Sequence, residues 1–511
     1  MRRVGTPSPI IESSFSTIEK LDHYIRSTYG DSTKSFSSRG DDKPNLGVGQ
    51  GNGAGPGIWA VVSTPIFDSM RRRGFGIYLQ CPLSGEEFHF IGYAFVDDTD
   101  LCTSDDPTKP VPEYIIPRVQ ESLNWWESTC RTTGGDIRPD KCHWFLIDFI
   151  WHHGKWKYVP IHPDDPPLTV QNPYGRREVV PRMRPDQGPR TLGFRTAPDG
   201  KNTAEYEYIE QCIADWVEKV RTKNIPPALV WQSMTTGLFR KILWVLVCTT
   251  FTEDECDKLL QPLLWTGLCK SNIVRTLKRA VVHGPRAFCG LALPHFYMEQ
   301  GIYKVQRICK YTGSYGYITG SLMRDSLENL TLELGLPGHP MSHDFDLWQG
   351  LTTDCWIKCA WQFMNKYGIE ILTSTTTLST LREGDSLIMW KFYRVGIREP
   401  RLLKRLNSCR MFLNAISLAD LCNAAGTKIL EDAWNGIRPT SRRSMTWAKQ
   451  PPSKALDWVE WQSALNLAFV VSRHRRLVVP QGEWFDESCL RCWYFSEKTD
   501  RLIRKRNPEH G

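Results

Sequence analysis

Two short segments in a fixed order constrain this chain most. Glycines recur at every second position from Gly47 to Gly57, through Gln50-Gly51-Asn52-Gly53-Ala54-Gly55-Pro56, and Phe95-Val96-Asp97-Asp98 follows. A backbone so rich in glycine can approach a ligand closely, because no Cβ stands in the way. Apolar arms flank the aspartates, so Phe88 to Cys102 reads as a β-hairpin with Asp97-Asp98 at its tip. Adjacent carboxylates repel each other unless a cation neutralises them. Two hard oxygen ligands suit Mg²⁺, with Mn²⁺ as a substitute, and such an ion also accepts phosphate oxygens from a substrate. A pair of these ions about 3.5–4 Å apart clamps the attacking and leaving oxygens of an in-line displacement. Gly49, Gly51 and Ala54 also satisfy a relaxed dinucleotide-binding pattern. That alternative fails on context, since Ser38 to Asn45 is polar and cannot be the buried strand the pattern needs.

The rest of the chain supplies the setting. At 511 residues it holds two to four domains on a scale of about 100–200 residues each. The 41% hydrophobic content is ample for a core. No apolar run approaches the roughly 18–20 residues of a membrane span. Arg2-Arg3 is not followed by an apolar stretch, so a secretory signal is not expected. Sixteen scattered cysteines fit reduced thiols in the nucleus or cytoplasm better than a disulfide framework. Net charge is +8, and tight basic groups lie in the last third: Lys404-Arg405, Arg442-Arg443, Arg473-His474-Arg475-Arg476 and Arg504-Lys505-Arg506. Such groups are either solvated charge or phosphate contacts.

Periodicity predicts a helix over Ile18–Ser27 and a buried helix over Ile58–Met70, with Pro65 kinking it or near its start. A helix opening at Pro117 carries Val119, Leu123, Trp126 and Cys130 on one face. Lys141–Trp151 reads as a strand paired with Trp156–Ile161, and Pro160–Pro189 as a proline-rich loop. Asn202 with Glu205 forms a capping-box pattern ahead of Ile209, Ile213, Trp216 and Val220. Pro226-Pro227 starts a second helix with Trp231, Met234, Leu238, Ile242 and Val245 on one face. Helical patterns return from about residue 345 to the end.

Gln50-Gly51-x-x-x-Gly55-Pro56 resembles motif B of the reverse transcriptases, and Phe95-Val96-Asp97-Asp98 resembles their motif C. Gly135-Asp136-Ile137-Arg138-Pro139-Asp140-Lys141-Cys142 is similar to motif D, and Thr191-Leu192-Gly193-Phe194 to the motif E turn. Gly290-Leu291-Ala292-Leu293-Pro294 is similar to a thumb-region signature of non-LTR retrotransposon enzymes. The resemblance implies an α+β fold: a partial polymerase palm of mixed or antiparallel sheet with helices, then a helical thumb and a helical extension. The expected divisions are a partly disordered remnant at 1–46, palm at 47–200, thumb at 201–330 and basic extension at 331–511. It also implies roles. Asp97 and Asp98 would bind metal. Gln50, Gly51, Gly55, Pro56 and Phe95 would line the template base and incoming nucleotide. Lys141 would sit near the triphosphate, and Leu192-Gly193 would grip the primer. The implied partners are an RNA template, a DNA primer and dNTPs.

One part of the pattern is missing. The family's first carboxylate strand precedes motif B, and here only Asp22, Asp31, Asp41 and Asp42 stand upstream, none in an apolar strand. The hairpin pair without that strand leaves the attacking hydroxyl without its activating ion. The sequence therefore predicts a truncated enzyme that does not polymerise alone, with a non-catalytic nucleic-acid-binding remnant as the alternative. Lesser candidates are Cys489 and Cys492 as half a zinc site, Cys355 with Cys359 on one helix face, and His152-His153 at a turn. Trp125-Trp126 and Trp458 with Trp461 are candidates for base stacking.

Overall fold

The computed structural model describes residues 7–20, 55–95, 98–104, 112–133, 135–152, 155–172, 174–372, 376–437, 454–472, 474–483, 493–496 and 501–504, with short stretches between 22 and 37. Helices and small two-stranded sheets make up these residues, a mixture compatible with the α+β class. Among the described residues strands pair only two at a time, not in the wider sheet a palm implies. Two compact units divide the chain: Met1–Leu79 with His89–Glu205, and Gln80–Phe88 with Tyr206–Gly511.

In the first unit, a helix spans Gly55–Arg72. It starts earlier than the periodicity predicts, because Pro56 is tolerated in a first helical turn, and Pro65 lies inside it. Ser63, Ile66 and Met70 make its buried face, at the spacing of one helical side. Ile66 and Met70 pack with Phe75, Ile91, Trp126 and Cys130. The last two come from the helix Pro112–Thr132, which begins ahead of Pro117. A second cluster joins Ile116 of that helix to Leu168, Val170 and Val180.

These last three residues correct the predicted Pro160–Pro189 loop. Leu168–Gln171 and Arg177–Val180 form an antiparallel pair in the register Leu168↔Val180 to Gln171↔Arg177. The prolines bound this hairpin rather than interrupt it. The Gln120 amide accepts from the Thr169 N–H at 2.7 Å and donates to the Thr169 carbonyl at 2.8 Å, which satisfies the strand's free backbone. The predicted strand Lys141–Trp151 is two strands, Trp144–Phe145 and Phe149–His152. Phe149–His152 pairs with Lys155–Tyr158. The N-terminal helix is Ser8–Lys20 rather than Ile18–Ser27, and Asp22 follows it in a two-residue strand.

The second unit is largely helical. Ile209, Ile213 and Val220 are buried as their spacing predicts, with Val217 in place of Trp216. The helix after Pro226 runs through Pro227–Gln232, a wider π turn Ser233–Leu238, and Phe239–Leu246. Its buried face carries Val230, Met234, Leu238, Ile242 and Val245, while Trp231 is half-buried. A Cβ on Gly267 would stand 2.3 Å from the Met234 sulfur, so a larger residue there requires the Met234 side chain to shift. The division expected near residue 330 falls inside the helix Ile318–Leu334. Leu327, Leu330 and Leu334 of this helix share the largest core with Trp361, Phe392, Leu406 and Trp461.

Three polar groups are built into this unit. The guanidinium of Arg410 is fully buried and donates to the carbonyls of Leu332 (2.6 Å), Glu333 (3.0 Å) and Ala415 (3.3 Å), and to Asn407 Oδ1 (2.8 Å). Burial lowers its pKa to about 9, so it stays charged at neutral pH. Glu86, in the segment Gln80–Phe88, accepts from Arg324 Nε and Nη2 at 2.7 and 2.6 Å and from Ser321 Oγ at 2.7 Å. The Leu83 and Ser84 amides donate to Glu328 Oε2 at 2.8 and 3.0 Å. Lys304 is also fully buried. Its Nζ lies 4.4 Å from the Trp356 ring centroid and has no hydrogen-bond partner. Burial pushes its pKa down to about 8, against the opposing effect of Cys359, Cys248 and Cys355. No helix among the described residues is long and apolar enough to cross a membrane.

Two predictions test these groups. Arg410→Met leaves the Leu332, Glu333 and Ala415 carbonyls without their donor, so urea unfolding should show a loss of at least about 3 kcal/mol. Lys304 titrates lower in the folded chain than in the unfolded one, so its charge opposes folding below the folded pKa of about 8. That penalty fades as pH rises towards the ordinary value of 10.5. Lys304→Met should therefore stabilise by on the order of 3 kcal/mol at pH 7, and the gain over the parent should shrink between pH 8 and 10.5. A gain independent of pH would show that packing, not charge, sets the difference.

Candidate functional site

The strands on either side of Val96-Asp97 pair with each other. Gly92–Phe95 pairs with Asp98–Leu101 in the register Gly92↔Leu101, Tyr93↔Asp100, Ala94↔Thr99 and Phe95↔Asp98. The predicted hairpin arm from Phe88 is broken at Ile91, with Glu87–Phe90 a separate strand. Gly92 explains the break: its φ is +153°, and a Cβ there would lie 2.1 Å from the Asp100 carbonyl oxygen.

Residues directly opposite on an antiparallel pair share a face, and successive residues alternate. Tyr93, Phe95, Asp98 and Asp100 therefore share one face. Gly92, Ala94, Thr99 and Leu101 share the other, and Leu101 packs against the core of Ile66, Met70 and Trp126. On the first face Phe95 is 64% exposed and Asp98 is exposed. Asp100 is half-buried, and its Oδ2 is enclosed without a hydrogen-bond partner. Burial, and then the Asp100 carboxylate, push the Cys102 thiol up. Asp100 is the residue that the reading of the aspartate pair overlooks. The alternation Asp98-Thr99-Asp100 in a strand is the signal that places both carboxylates on one side.

Gln50, Gly51, Val96 and Asp97 lie outside the described residues. The register leaves Val96-Asp97 as the two-residue connection between Phe95 and Asp98. Gly55 is the first residue of the helix Gly55–Arg72, and Pro56 is in its first turn. The free N–H groups of such a turn favour an anion. Lys141 closes the short 3₁₀ turn Pro139–Lys141 and is exposed. Beside it the Arg138 fork donates to both oxygens of Asp140 at 3.0 Å and holds that carboxyl below the usual carboxylate range. Ile137 packs against both core clusters of the unit. The structure thus gathers the glycine-run helix, the strand Asp98–Leu101 and the stretch leading to Lys141 around one shared core.

Leu192-Gly193 is the connection of a second hairpin, Arg190↔Arg195 and Thr191↔Phe194. Both turn residues have positive φ, +54° and +82°. That is the pattern of a two-residue type I′ turn, which favours Asn-Gly. Glu205 accepts from the Arg195 amide at 2.7 Å and anchors the hairpin. Gly290–Pro294 lies in the second unit and folds as a turn: the Leu291, Ala292 and Leu293 amides donate to Val281, Gly284 and Val282. A Cβ on Gly290 would stand 2.0 Å from the Gly284 carbonyl oxygen.

The lesser candidates separate cleanly. Cys489, Cys492 and His153 lie outside the described residues. Cys355 precedes the helix Trp356–Tyr367 as its cap, and Cys359 accepts from Gln300 Nε2 at 3.7 Å. Trp126, Trp458 and Trp461 are core residues. Trp125 donates to Ser69 Oγ at 3.0 Å. Asp22 and Asp31 sit in two-residue strands, and Asp41-Asp42 lies outside the described residues. Among the described residues no group of three or more His, Cys, Asp or Glu is placed to hold a metal ion; Asp97 is not among them.

The left-handed Leu192 generates a prediction. Asn tolerates that conformation where Leu does not, so Leu192→Asn should stabilise the first unit by about 1 kcal/mol in denaturant titration. A loss of stability instead would mean that packing of the Leu192 side chain outweighs its backbone strain. No protein-family model matches this chain, and no curated protein or solved structure matches it either.

Proposed function

We propose that this chain is of the reverse-transcriptase type, whose parent activity is template-directed nucleotidyl transfer, with the first unit as a partial palm and the helices after Tyr206 as a thumb, and that whether it polymerises alone hinges on an upstream carboxylate joining the Asp98 hairpin. One observation carries the reading. Phe95 and Asp98 face each other across a two-residue connection that contains Asp97, on a hairpin packed against the helix that follows the glycine run.

Whether these residues suit a divalent cation turns on their oxygens. Asp98 is exposed, and Asp100, two residues along the same face, has an enclosed oxygen without a partner. Hard carboxylate oxygens on one side of a strand fit Mg²⁺ or Mn²⁺. Asp97 and Asp98 would hold that ion, whose charge lets adjacent carboxylates stay ionised and offsets the charge of a triphosphate.

The chain's own groups supply the rest. Gln50, Gly51, Gly55 and Pro56 would border the incoming nucleotide, where backbone N–H groups at the helix start favour its phosphates. Phe95 offers an exposed ring beside the carboxylates. Lys141 would place a cation near the leaving pyrophosphate and stabilise charge as it develops. The rigid Leu192-Gly193 turn would hold the primer end, and RNA would be the template for DNA synthesis from dNTPs.

A second reading, a non-catalytic nucleic-acid-binding protein of the same origin, is favoured by the upstream aspartates. Neither Asp22 nor Asp31 stands in a strand paired with the Asp98 hairpin. Primer extension on an RNA template, with Mg²⁺ and then Mn²⁺, separates the two. dNTP incorporation abolished by Asp97→Asn with Asp98→Asn supports the enzyme. A folded protein that binds nucleic acid in a salt-dependent way but incorporates nothing supports the binding protein.

A further inference from the structure

The second unit contains an open pocket of about 550 Å³ lined by Lys428, His474, Arg475 and Arg476. Every lining residue is basic. The loop that carries three of them is strapped closed: Val478 N–H donates to the Val470 carbonyl, Ser472 N–H to Arg476 and Arg475 N–H to Ser472. Val471 and Leu477 form an isolated bridge across its base. The loop is also stitched to residues 427–429. Lys428 bridges Arg476, the Ile429 amide donates to the Arg475 carbonyl at 2.9 Å, and the Leu477 amide donates to Thr427 at 2.9 Å. Ile429 and Leu477 are buried in the largest core. The four basic side chains therefore stand on a fixed frame and not on a floppy arm.

Two features mark this frame as more than solvated charge. Val470 and Arg475 both have left-handed backbone, φ +49° and +58°, which side-chain-bearing residues seldom adopt and which gathers at functional sites. Arg475 Nη2 lies 3.3 Å from Glu431, but Arg475 Nε is enclosed with no hydrogen-bond partner. Four basic side chains stand against the single Glu431 carboxylate that Arg475 meets, a balance of charge that favours phosphate.

We infer that this pocket binds phosphate groups of a nucleic-acid backbone. Basic side chains gathered on one braced loop suit discrete phosphates, and the vesicle arm of the test separates a lipid headgroup from a nucleic acid. The choice of nucleic acid among phosphate carriers rests on the function proposed above; the anion site itself does not. Arg473 precedes the lining residues in sequence but lies outside the described residues.

The test is fluorescence anisotropy of the full chain with labelled single-stranded RNA and duplex DNA across a salt series, alongside sedimentation with phosphatidylserine vesicles. Arg475→Gly removes the side chain and suits the left-handed backbone, and Arg476→Ala and Lys428→Ala remove its neighbours. Arg401→Ala, at an exposed position elsewhere, controls for net charge. Each pocket variant should weaken binding about tenfold and reduce the slope of log affinity against log salt by about 1, while the control should change neither. Circular dichroism identifies any variant that fails to fold, and the two alanine variants outside the left-handed turn then carry the test. Unchanged affinity and slope in folded pocket variants would overturn the proposal, as would vesicle binding without nucleic-acid binding. Primer extension is scored separately. Loss of pocket-dependent binding with synthesis intact refutes the pocket alone, and pocket-dependent binding without synthesis refutes the polymerase alone.

Discussion

Burial of the Arg410 guanidinium is the constraint on which the helical unit depends. A charge moved out of water costs least when its donors are matched by acceptors. Here the acceptors are backbone carbonyls at the C-terminal end of Ile318–Leu334 and in the turn at Ala415, positions a helix leaves without partners of its own. Gly335 makes the arrangement possible. It ends the helix at φ +66°, and a Cβ there would stand 2.8 Å from the Arg410 Cζ. Asn407 completes the set by accepting from Arg410 Nε and donating to the Glu333 carbonyl at 2.9 Å. One side chain thus serves as C-cap for one helix and as the link to the turn that follows another.

The first unit solves a different problem with the same economy of space. Its clusters are small, so position is fixed by close backbone approaches and by side chains that finish strand edges. Gly92 lets Tyr93 and Asp100 stand opposite each other, and Gln120 completes the edge at Thr169. The exposed carboxylate and aromatic face of the Gly92–Leu101 hairpin is held from behind by Leu101. Carboxylates and aromatic rings point outward from strands whose opposite face turns to the core.

Much of this was legible because local chemistry determines it. The pairing of the strands around Phe95 and Asp98 followed from an aromatic and two apolar arms, and the turn at Thr191–Phe194 from the resemblance alone. The faces carrying Ile209, Ile213 and Val220, or Met234, Leu238 and Ile242, followed from spacing alone. What stayed hidden depends on distant partners. The Leu168–Val180 hairpin is obscured by prolines that bound it, and its apolar residues need Ile116 to be recognised as core. Asp100 looks like surface charge until the register places it beside Asp98. Nothing around Arg410 in the sequence distinguishes it from exposed Arg401, because two of its acceptors, the Leu332 and Glu333 carbonyls, lie far away along the chain.

The segment Gln80–Phe88 belongs to the same compact unit as Tyr206–Gly511, although more than a hundred residues separate them. Through Glu86 and the Leu83 and Ser84 amides it supplies the counter-charge for Arg324 and the donors for Glu328. The helical unit is therefore discontinuous in the chain. A piece cut at residue 206 would carry Arg324 without its carboxylate and Glu328 without two donors, both on one face of Ile318–Leu334. During synthesis this unit cannot finish until its early segment is captured by helices made much later, so its completion is a long loop closure rather than a local event.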